Sequence, residues 1–358
     1  MYETYRILKI KEKAGSQTAS LEMEKRRESR VKLPLQGLGG EVMYLVPTDE
    51  ISARLTSIQE LYACVTDAHK ASDVILLDAY HSATIEGART TVENVRKALD
   101  KPKTKDDRMV VNTVRALNYA YEHEIDMGDM RGLWEIIVDG VCENAGLAGT
   151  EYRDGMVYIG GASGIVHVPA KPEAIKPLIS DLGDFMRGSQ LDVWLKAAVM
   201  HFYFVYVHPY CDGNGRMIRV LTQSYLYHSG LDKMRYVALS RAINNDLSGY
   251  YTSLRDSEYV YANGRSWMDV TPFVCYFLGA VERALLTSLQ EDVPISDKQK
   301  LLLAKMRKNG KNAEITIANA AGILGTCQQT AAKQLNGLVE SGHLTKTRRG
   351  RKNVYILR

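Results

Sequence analysis

LDVWLKAAVMHFYFVYV-HPYCDGNGRMIR, residues 191–219, is the stretch from which the rest of the chain can be read. Its first part, 191–207, is apolar almost all round, which marks a buried central helix rather than an amphipathic surface one. Pro209 stops that helix and leaves His208 at its C-terminal end. Gly213-Asn214-Gly215 then permits positive φ angles, so that successive backbone N–H groups can converge into an anion-binding nest. A helix starting near Arg216 points its positive dipole end at the same place. Arg216 and Arg219 share one face of its first turn, where like charges repel each other and the dipole at about 0.3–1 kcal/mol each. A sequence that accepts this penalty points to an anion that offsets it. Asp212 adds a hard oxygen ligand of the kind Mg²⁺ takes together with phosphate oxygens. The His208 imidazole is the right group to accept a proton from an attacking hydroxyl near neutral pH. A packed histidine, a G-N-G turn or two solvated arginines is ordinary alone. Twelve consecutive residues combining base, metal ligand, nest and paired cations are not.

Outward from this core, residues 51–99 read as helical, with apolar residues recurring at three and four and Gly87 the lone breaker. Residues 106–147 give one or two further helices. At 149–169 the period changes: Val157 and Ile159 alternate, Gly160 and Gly161 punctuate, and Ile165, Val166 and Val168 follow, which predicts a β-hairpin. Helices resume at Pro172 and run on to about residue 290. Residues 1 to about 50, broken by Pro34, Gly37, Gly39 and Gly40, read as short strands and loops. The 358 residues are enough for two or three domains. Five cysteines, odd in number and never in C-x-x-C spacing, argue against a disulfide framework or a zinc site. With no signal-like start and no apolar run approaching about eighteen residues, a cytoplasmic protein with no membrane partner is expected.

The His208–Arg219 string resembles the signature of the Fic (filamentation induced by cAMP) family, H-P-F-x-[D/E]-G-N-G-R-x-x-R, with Tyr210 in place of the usual Phe. The resemblance covers roughly residues 70–285. It implies a mainly α fold, a Fic-type helical bundle with a small β-hairpin flap. It implies a protein adenylyltransferase that moves AMP from ATP to a hydroxyl of a target protein. His208 is then the general base and Asp212 the Mg²⁺ ligand. Gly213, Asn214 and Gly215 cradle the phosphates, and Arg216 and Arg219 neutralise them. Ser-Ala-Thr-Ile-Glu-Gly, residues 82–87, resembles the family's inhibitory motif, [S/T]-x-x-x-E-[G/N]. Ser82 and Glu86 share a face of a helix expected over 74–99, and Glu86, beside Gly87, would pair with Arg219 when ATP is absent. The hairpin, with a tip at Gly160, Gly161, Ala162, Ser163, Gly164 and Ile165, would dock the target as an added strand. Tyr250 and Tyr251 resemble aromatic positions near the adenine. By analogy a homodimer is expected. The signature leaves open removal of AMP, other nucleotidyl or phosphoryl transfer, and a regulator whose Fic body only senses nucleotide.

The tail differs in charge. From Asp297 to Arg358 thirteen Lys/Arg stand against three Asp/Glu, so this segment carries +10 of a net +4 and the rest carries −6. Its rhythm of three helices and two strands predicts an α+β winged helix-turn-helix. Gln328, Gln329 and Lys333 would face a DNA groove, and a wing of Arg348, Arg349, Arg351 and Lys352 would lie on phosphates. A protein-interaction module is the alternative. The expected organisation is an N-terminal region over 1–105 carrying the inhibitory helix, a catalytic core over 106–290 and a winged helix over 297–358.

Overall fold

A computed structural model of the chain describes residues 2–67, 70–161, 164–261, 266–291, 296–308, 310, 313–340, 343–349 and 352–357. It resolves into two compact units, Met1–Leu285 and Leu286–Arg358.

The first unit is built around the helix Val193–Val207, where Val193, Lys196 and Val205 alone escape burial. Helices Pro172–Gly188 and Asn214–His228 pack against it, and Lys105–Glu122 and Ala71–Ile85 pack against the latter. Pro172 opens its helix at the position where a missing N–H is harmless. A four-stranded sheet covers one end in the order Val31–Gln36, Val42–Leu45, Trp267–Asp269, Val260–Tyr261, with the middle pair parallel. The Tyr203 hydroxyl donates to the Gln36 carbonyl at 3.0 Å and the Tyr206 hydroxyl accepts from Leu38 N at 3.1 Å, tying sheet to central helix.

Several sequence expectations change here. Residues before 31 form two helices, Tyr5–Lys13 and Gln17–Ser29, not strands and loops. Thr4 and Ser16 cap them by accepting from Ile7 N and Ala19 N. The second is too polar for a clear hydrophobic period, whereas the first is short but amphipathic, with Tyr5 and Leu8 on its buried face. A few buried residues, Tyr5, Leu8, Ala19 and Met23, hold them against Val46, Tyr261 and Trp267. The helical stretch 51–99 is three helices, Asp49–Cys64, Ala71–Ile85 and Val92–Lys97. Gly87 breaks the expected 74–99 helix because it takes φ +90°, a left-handed conformation that closes a helix end. Two short strands, Val260–Tyr261 and Trp267–Asp269, interrupt what was expected to be helix up to 290. The helix that follows contains a segment, Thr271–Leu289, long and apolar enough to cross a membrane, but 67% of it is buried inside the protein, as in a core helix.

The second unit has the order helix Asp297–Lys308, strand Glu314–Thr316, helices Ile317–Leu324 and Gln328–Glu340, and strands Leu344–Arg349 and Lys352–Leu357. The last strand lies between the other two, antiparallel to both. Leu302, Met306, Ile315, Leu335, Leu338 and Tyr355 fill its core. The strand Glu314–Thr316 was not anticipated, being three residues long and followed directly by a helix.

Candidate active site

Val193–Val207 ends at His208, which takes φ 55°, ψ 65°. A left-handed histidine costs of order 1–3 kcal/mol and persists only where surrounding contacts over-determine it. Those contacts come from one neighbouring segment. Residues 206–209 present the carbonyls that a helix end leaves without partners. The Tyr206 carbonyl accepts from His167 Nε2 at 2.8 Å, and that of Val207 from Ala170 N at 3.3 Å. The His208 carbonyl accepts from Arg153 Nε at 2.9 Å, and that of Pro209 from Arg153 N at 3.0 Å. Arg153 is only 2% exposed. Its other nitrogens donate to the Gly155 carbonyl, at 2.7 Å, and to that of Ala170. His167 also faces the Glu258 carboxylate through Nδ1 at 2.9 Å. Both of its ring nitrogens therefore meet acceptors, and only the imidazolium satisfies both. Burial opposes that charge, but Glu258 and the Tyr206 carbonyl outweigh it and raise the pKa.

The His208 ring sets Nδ1 3.3 Å from the Val205 carbonyl. Nδ1 must donate there, which leaves Nε2 with a free lone pair. Burial pushes this imidazole down to about 4, with His167 adding repulsion, so it is neutral at pH 7. A neutral ring with a bare Nε2 is the form a general base needs.

The loop beyond is braced from within. Tyr210 N donates to Asn214 Oδ1 at 2.9 Å and Asn214 Nδ2 returns a bond to the Tyr210 carbonyl at 2.8 Å. The Tyr210 ring stacks on Trp134, with centroids 5.2 Å apart, so it does pack as an aromatic; its buried hydroxyl has no partner. Asp212 accepts from Gly213 N at 2.6 Å and Glu143 N at 3.0 Å. Gly213 takes φ +78° and opens the helix Asn214–His228. Arg216 is buried beneath the loop. Its Nη1 donates to the Ile137 carbonyl at 3.0 Å, Nη2 lies 3.7 Å from Asp212, and Nε has no partner. Burial lowers its pKa, with Asp212 the nearest opposing charge, so the loop carries incompletely compensated positive charge.

Glu86 comes from the other side. It is the C-cap of Ala71–Ile85, not a residue of the helix body. Arg219 donates to Glu86 Oε1 at 2.7 Å, to Ser82 Oγ at 2.8 Å and to the Ser82 carbonyl at 2.9 Å. A Cβ placed on Gly215 would lie 2.1 Å from Glu86 Oε1. The carboxylate thus rests directly on the glycine at the helix N-terminus, where an anion is favoured. Ser82, Glu86, Gly215 and Arg219, separated in sequence, meet in one place.

Other expectations divide. Tyr250 is buried and bonded to His201 Nε2 at 3.0 Å, a core position, whereas Tyr251 is 52% exposed. The hairpin forms, Ile159–Gly161 against Gly164–His167, with Ile165 63% and Val166 58% exposed. Gly160, Gly161, Gly164 and Ile165, expected at its tip, lie in the paired strands; Ala162 and Ser163 lie outside the described residues, as does Arg351 of the second unit. There Gln328, Gln329, Lys333, Arg348 and Arg349 are exposed, Arg349 pairs with Glu314 at 2.6 Å, and Lys352 opens the last strand. Among the described residues no cluster of three His, Cys, Asp or Glu could hold a metal. Asp212 stands as a single carboxylate, which suits an ion that arrives already bound to phosphate oxygens and keeps several waters.

Sequence reading missed Arg153, His167, Glu258 and Trp134, because the partners that give them a role lie far away in the chain and no local pattern announces them. It also missed that Cys142 and Cys211, sixty-nine positions apart, bring their sulfurs to 3.8 Å.

Residues 124–226 match the Fic/DOC family. The chain is 27% identical over 255 residues to the protein adenylyltransferase Fic of Drosophila grimshawi, covering 67% of this chain and 48% of that one. It is 23% identical over 274 residues to that of Aedes aegypti, covering 73% and 51%. The chain thus spans about half the length of these curated relatives. Among solved structures it is similar to a Fic family protein from Desulfovibrio desulfuricans G20, with TM-score 0.59, 23% identity, 87% of this chain and 97% of that one covered. It is also similar to Fic-1, residues 134–508, of C. elegans, with TM-score 0.51, 21% identity, and coverage of 68% and 71%.

Proposed function

We propose, from the Fic/DOC family domain at residues 124–226, that this chain is a protein adenylyltransferase held in check by its own Glu86. The observation that carries the reading is the carboxylate lying on Gly215 and bonded to Arg219, an anion already seated where the nest, the helix dipole and two guanidinium groups converge. A triphosphate fits the same chemistry.

In the reaction, His208 Nε2 takes the proton of a target hydroxyl, whose oxygen bonds to the α-phosphorus as the bond from that phosphorus to the β-phosphate bridging oxygen breaks. Pyrophosphate leaves. Backbone N–H groups of the first turn after Gly213, with Arg219 once Glu86 lets go of it, hold the phosphates while charge grows on them. Arg216 supports the same charge from beneath the loop. Mg²⁺, entering with ATP, would be held by Asp212 and supply further charge neutralisation. The exposed edge of the hairpin Gly164–His167 offers main-chain hydrogen bonds to an extended target segment, a mode tolerant of target sequence. The test is retention of label on protein from α-labelled but not γ-labelled ATP, lost in His208→Ala. Retention of γ-label would mean phosphoryl transfer instead.

A second role is favoured by the second unit, where exposed Lys346, Arg348 and Arg349 line a β-hairpin beside the helix Gln328–Glu340, in a segment of charge +10. We propose that this winged-helix arrangement binds duplex DNA, largely through phosphates. In a gel shift with random-sequence duplex at low salt, the full chain should bind. Replacing Lys346, Arg348 and Arg349 together by alanine should weaken binding and flatten its salt dependence by about three counterions. Absence of a shift with the full chain would leave the unit as a protein-interaction module.

A further inference from the structure

The four carbonyls at the end of the central helix are all taken by one segment, residues 153–170, and the donors are unlike a normal helix terminus. Two are backbone N–H groups, of Ala170 and Arg153; two are side chains, His167 and Arg153. Both side chains are cations set against the negative end of a helix dipole, where positive charge is favoured. Arg153 is buried and bonded to three carbonyls by its guanidinium: His208, Gly155 and Ala170. A buried charge so placed is expensive unless its geometry matters.

That segment contains the hairpin strand Gly164–His167. His167, at the end of this strand, reaches the Tyr206 carbonyl, and Arg153 spans His208 and Ala170, three residues beyond the strand. The hairpin and the left-handed His208 are therefore fastened to each other by the same two side chains. We infer that Arg153 and His167 are positioning residues, a clasp that registers a hairpin-docked substrate hydroxyl to His208 Nε2 and holds that ring in the tautomer a base requires. Neither touches the reacting atoms. Each acts through the backbone of residues 206–209. Glu258 completes the clasp by keeping His167 charged, so that both of its nitrogens donate.

The inference rests on the transfer reading for its kinetic consequence but not for its structural one, and the two are separable. Imidazole ¹⁵N shifts of histidine-labelled protein, with the His208 signals assigned through His208→Gln, report the tautomer without any turnover. The wild type should show His208 protonated on Nδ1. His167→Leu and Arg153→Gln should show a mixture with the Nε2–H form as the left-handed turn relaxes. His167→Gln, which keeps one N–H for the Tyr206 carbonyl, should restore most of the wild-type signal. In self-labelling from α-labelled ATP on a Glu86→Gly background, the first two variants should lose about tenfold or more in kcat, as misplacement of a reacting group by about 1 Å does. KM for ATP should change by less than about threefold, since the phosphate seat lies on the far side of the loop. Should Arg153→Gln fail to fold by circular dichroism, His167→Leu carries the test by itself. A folded His167→Leu with the wild-type tautomer and wild-type kcat overturns the inference. An absence of AMP transfer in the parent would instead remove the transfer reading and leave the tautomer comparison standing.

Discussion

Replacing Glu86 by glycine removes the carboxylate that now rests on Gly215, and the size of the response can be worked from its contacts. The carboxylate makes one charge-assisted hydrogen bond, 2.7 Å to Arg219, whose side chain is 2% exposed while that of Glu86 is 33% exposed. Bonds to charged groups contribute about 1.5–3 kcal/mol, and a partner one-third open to water belongs at the lower end. Arg219 is not stranded by the change, because Ser82 Oγ and the Ser82 carbonyl still accept from it. Fold stability should therefore fall little. ATP, however, no longer has to displace an anion worth about 1.5 kcal/mol, which corresponds to roughly a tenfold gain in the rate at subsaturating nucleotide. The assay is the initial rate of self-labelling from α-labelled ATP, wild type against Glu86→Gly, with ATP held well below its KM. A tenfold rise is expected. A folded Glu86→Gly protein that labels no faster than wild type would mean the carboxylate does not compete with nucleotide, and the proposed restraint would be wrong.

Gly215→Ala places a methyl 2.1 Å from Glu86 Oε1 and 3.1 Å from Arg219 Nη1. In the Glu86→Gly background the first clash is gone, yet labelling should still fall by about tenfold or more if phosphate lies on that glycine; equal rates for the single and double variants would move the seat elsewhere. Ser82→Ala strips Arg219 Nε of its partner in a buried setting and should lower unfolding stability by about 1–3 kcal/mol in urea titrations. An unchanged midpoint and slope would show that water replaces the hydroxyl. Because burial holds His208 down at about 4, the active neutral ring persists well below pH 6.5. The acidic limb of kcat/KM should accordingly fall nearer 4 than the ordinary 6.5, and a limb at 6.5 would refute the placement. The same shift makes the unfolded chain bind the proton first. Its contribution to stability is complete above pH 6.5 and fades as pH drops from there toward 4, visible as falling urea midpoints.

The site was legible wherever chemistry and spacing coincided within one segment. His208 to Arg219 announces a base, a nest and two cations in twelve residues, and Ser82 and Glu86 sit four apart, a spacing that places both on one helical face. Pro172 marked a helix start correctly because Pro acts locally, whereas Gly160 and Gly161, expected in a turn, belong to the strand Ile159–Gly161. What sequence could not convey was burial. Arg216 and Arg219 looked alike, one turn apart, yet one lies beneath the loop against the Ile137 carbonyl and the other reaches Glu86. Tyr250 and Tyr251 are adjacent, yet one is core and the other exposed. Arg153 and His167 acquire meaning only when residues 153–170 fold back onto the end of the central helix. The N-terminal helices were missed because Gln17–Ser29 carries no apolar stripe and Tyr5–Lys13, though amphipathic, is only nine residues long.

Glu86 caps a helix that has already ended, with Gly87 turning the chain away at φ +90°. A carboxylate on the body of a helix could be withdrawn only as far as its own rotamers allow, unless the whole rod shifted. One on its last half-turn can swing aside by fraying, on the nanosecond-to-microsecond scale of chain ends and loops. The proposed restraint is thus a latch of low inertia, and anything that loosens or stiffens the few residues around 83–88 should set how often it lifts.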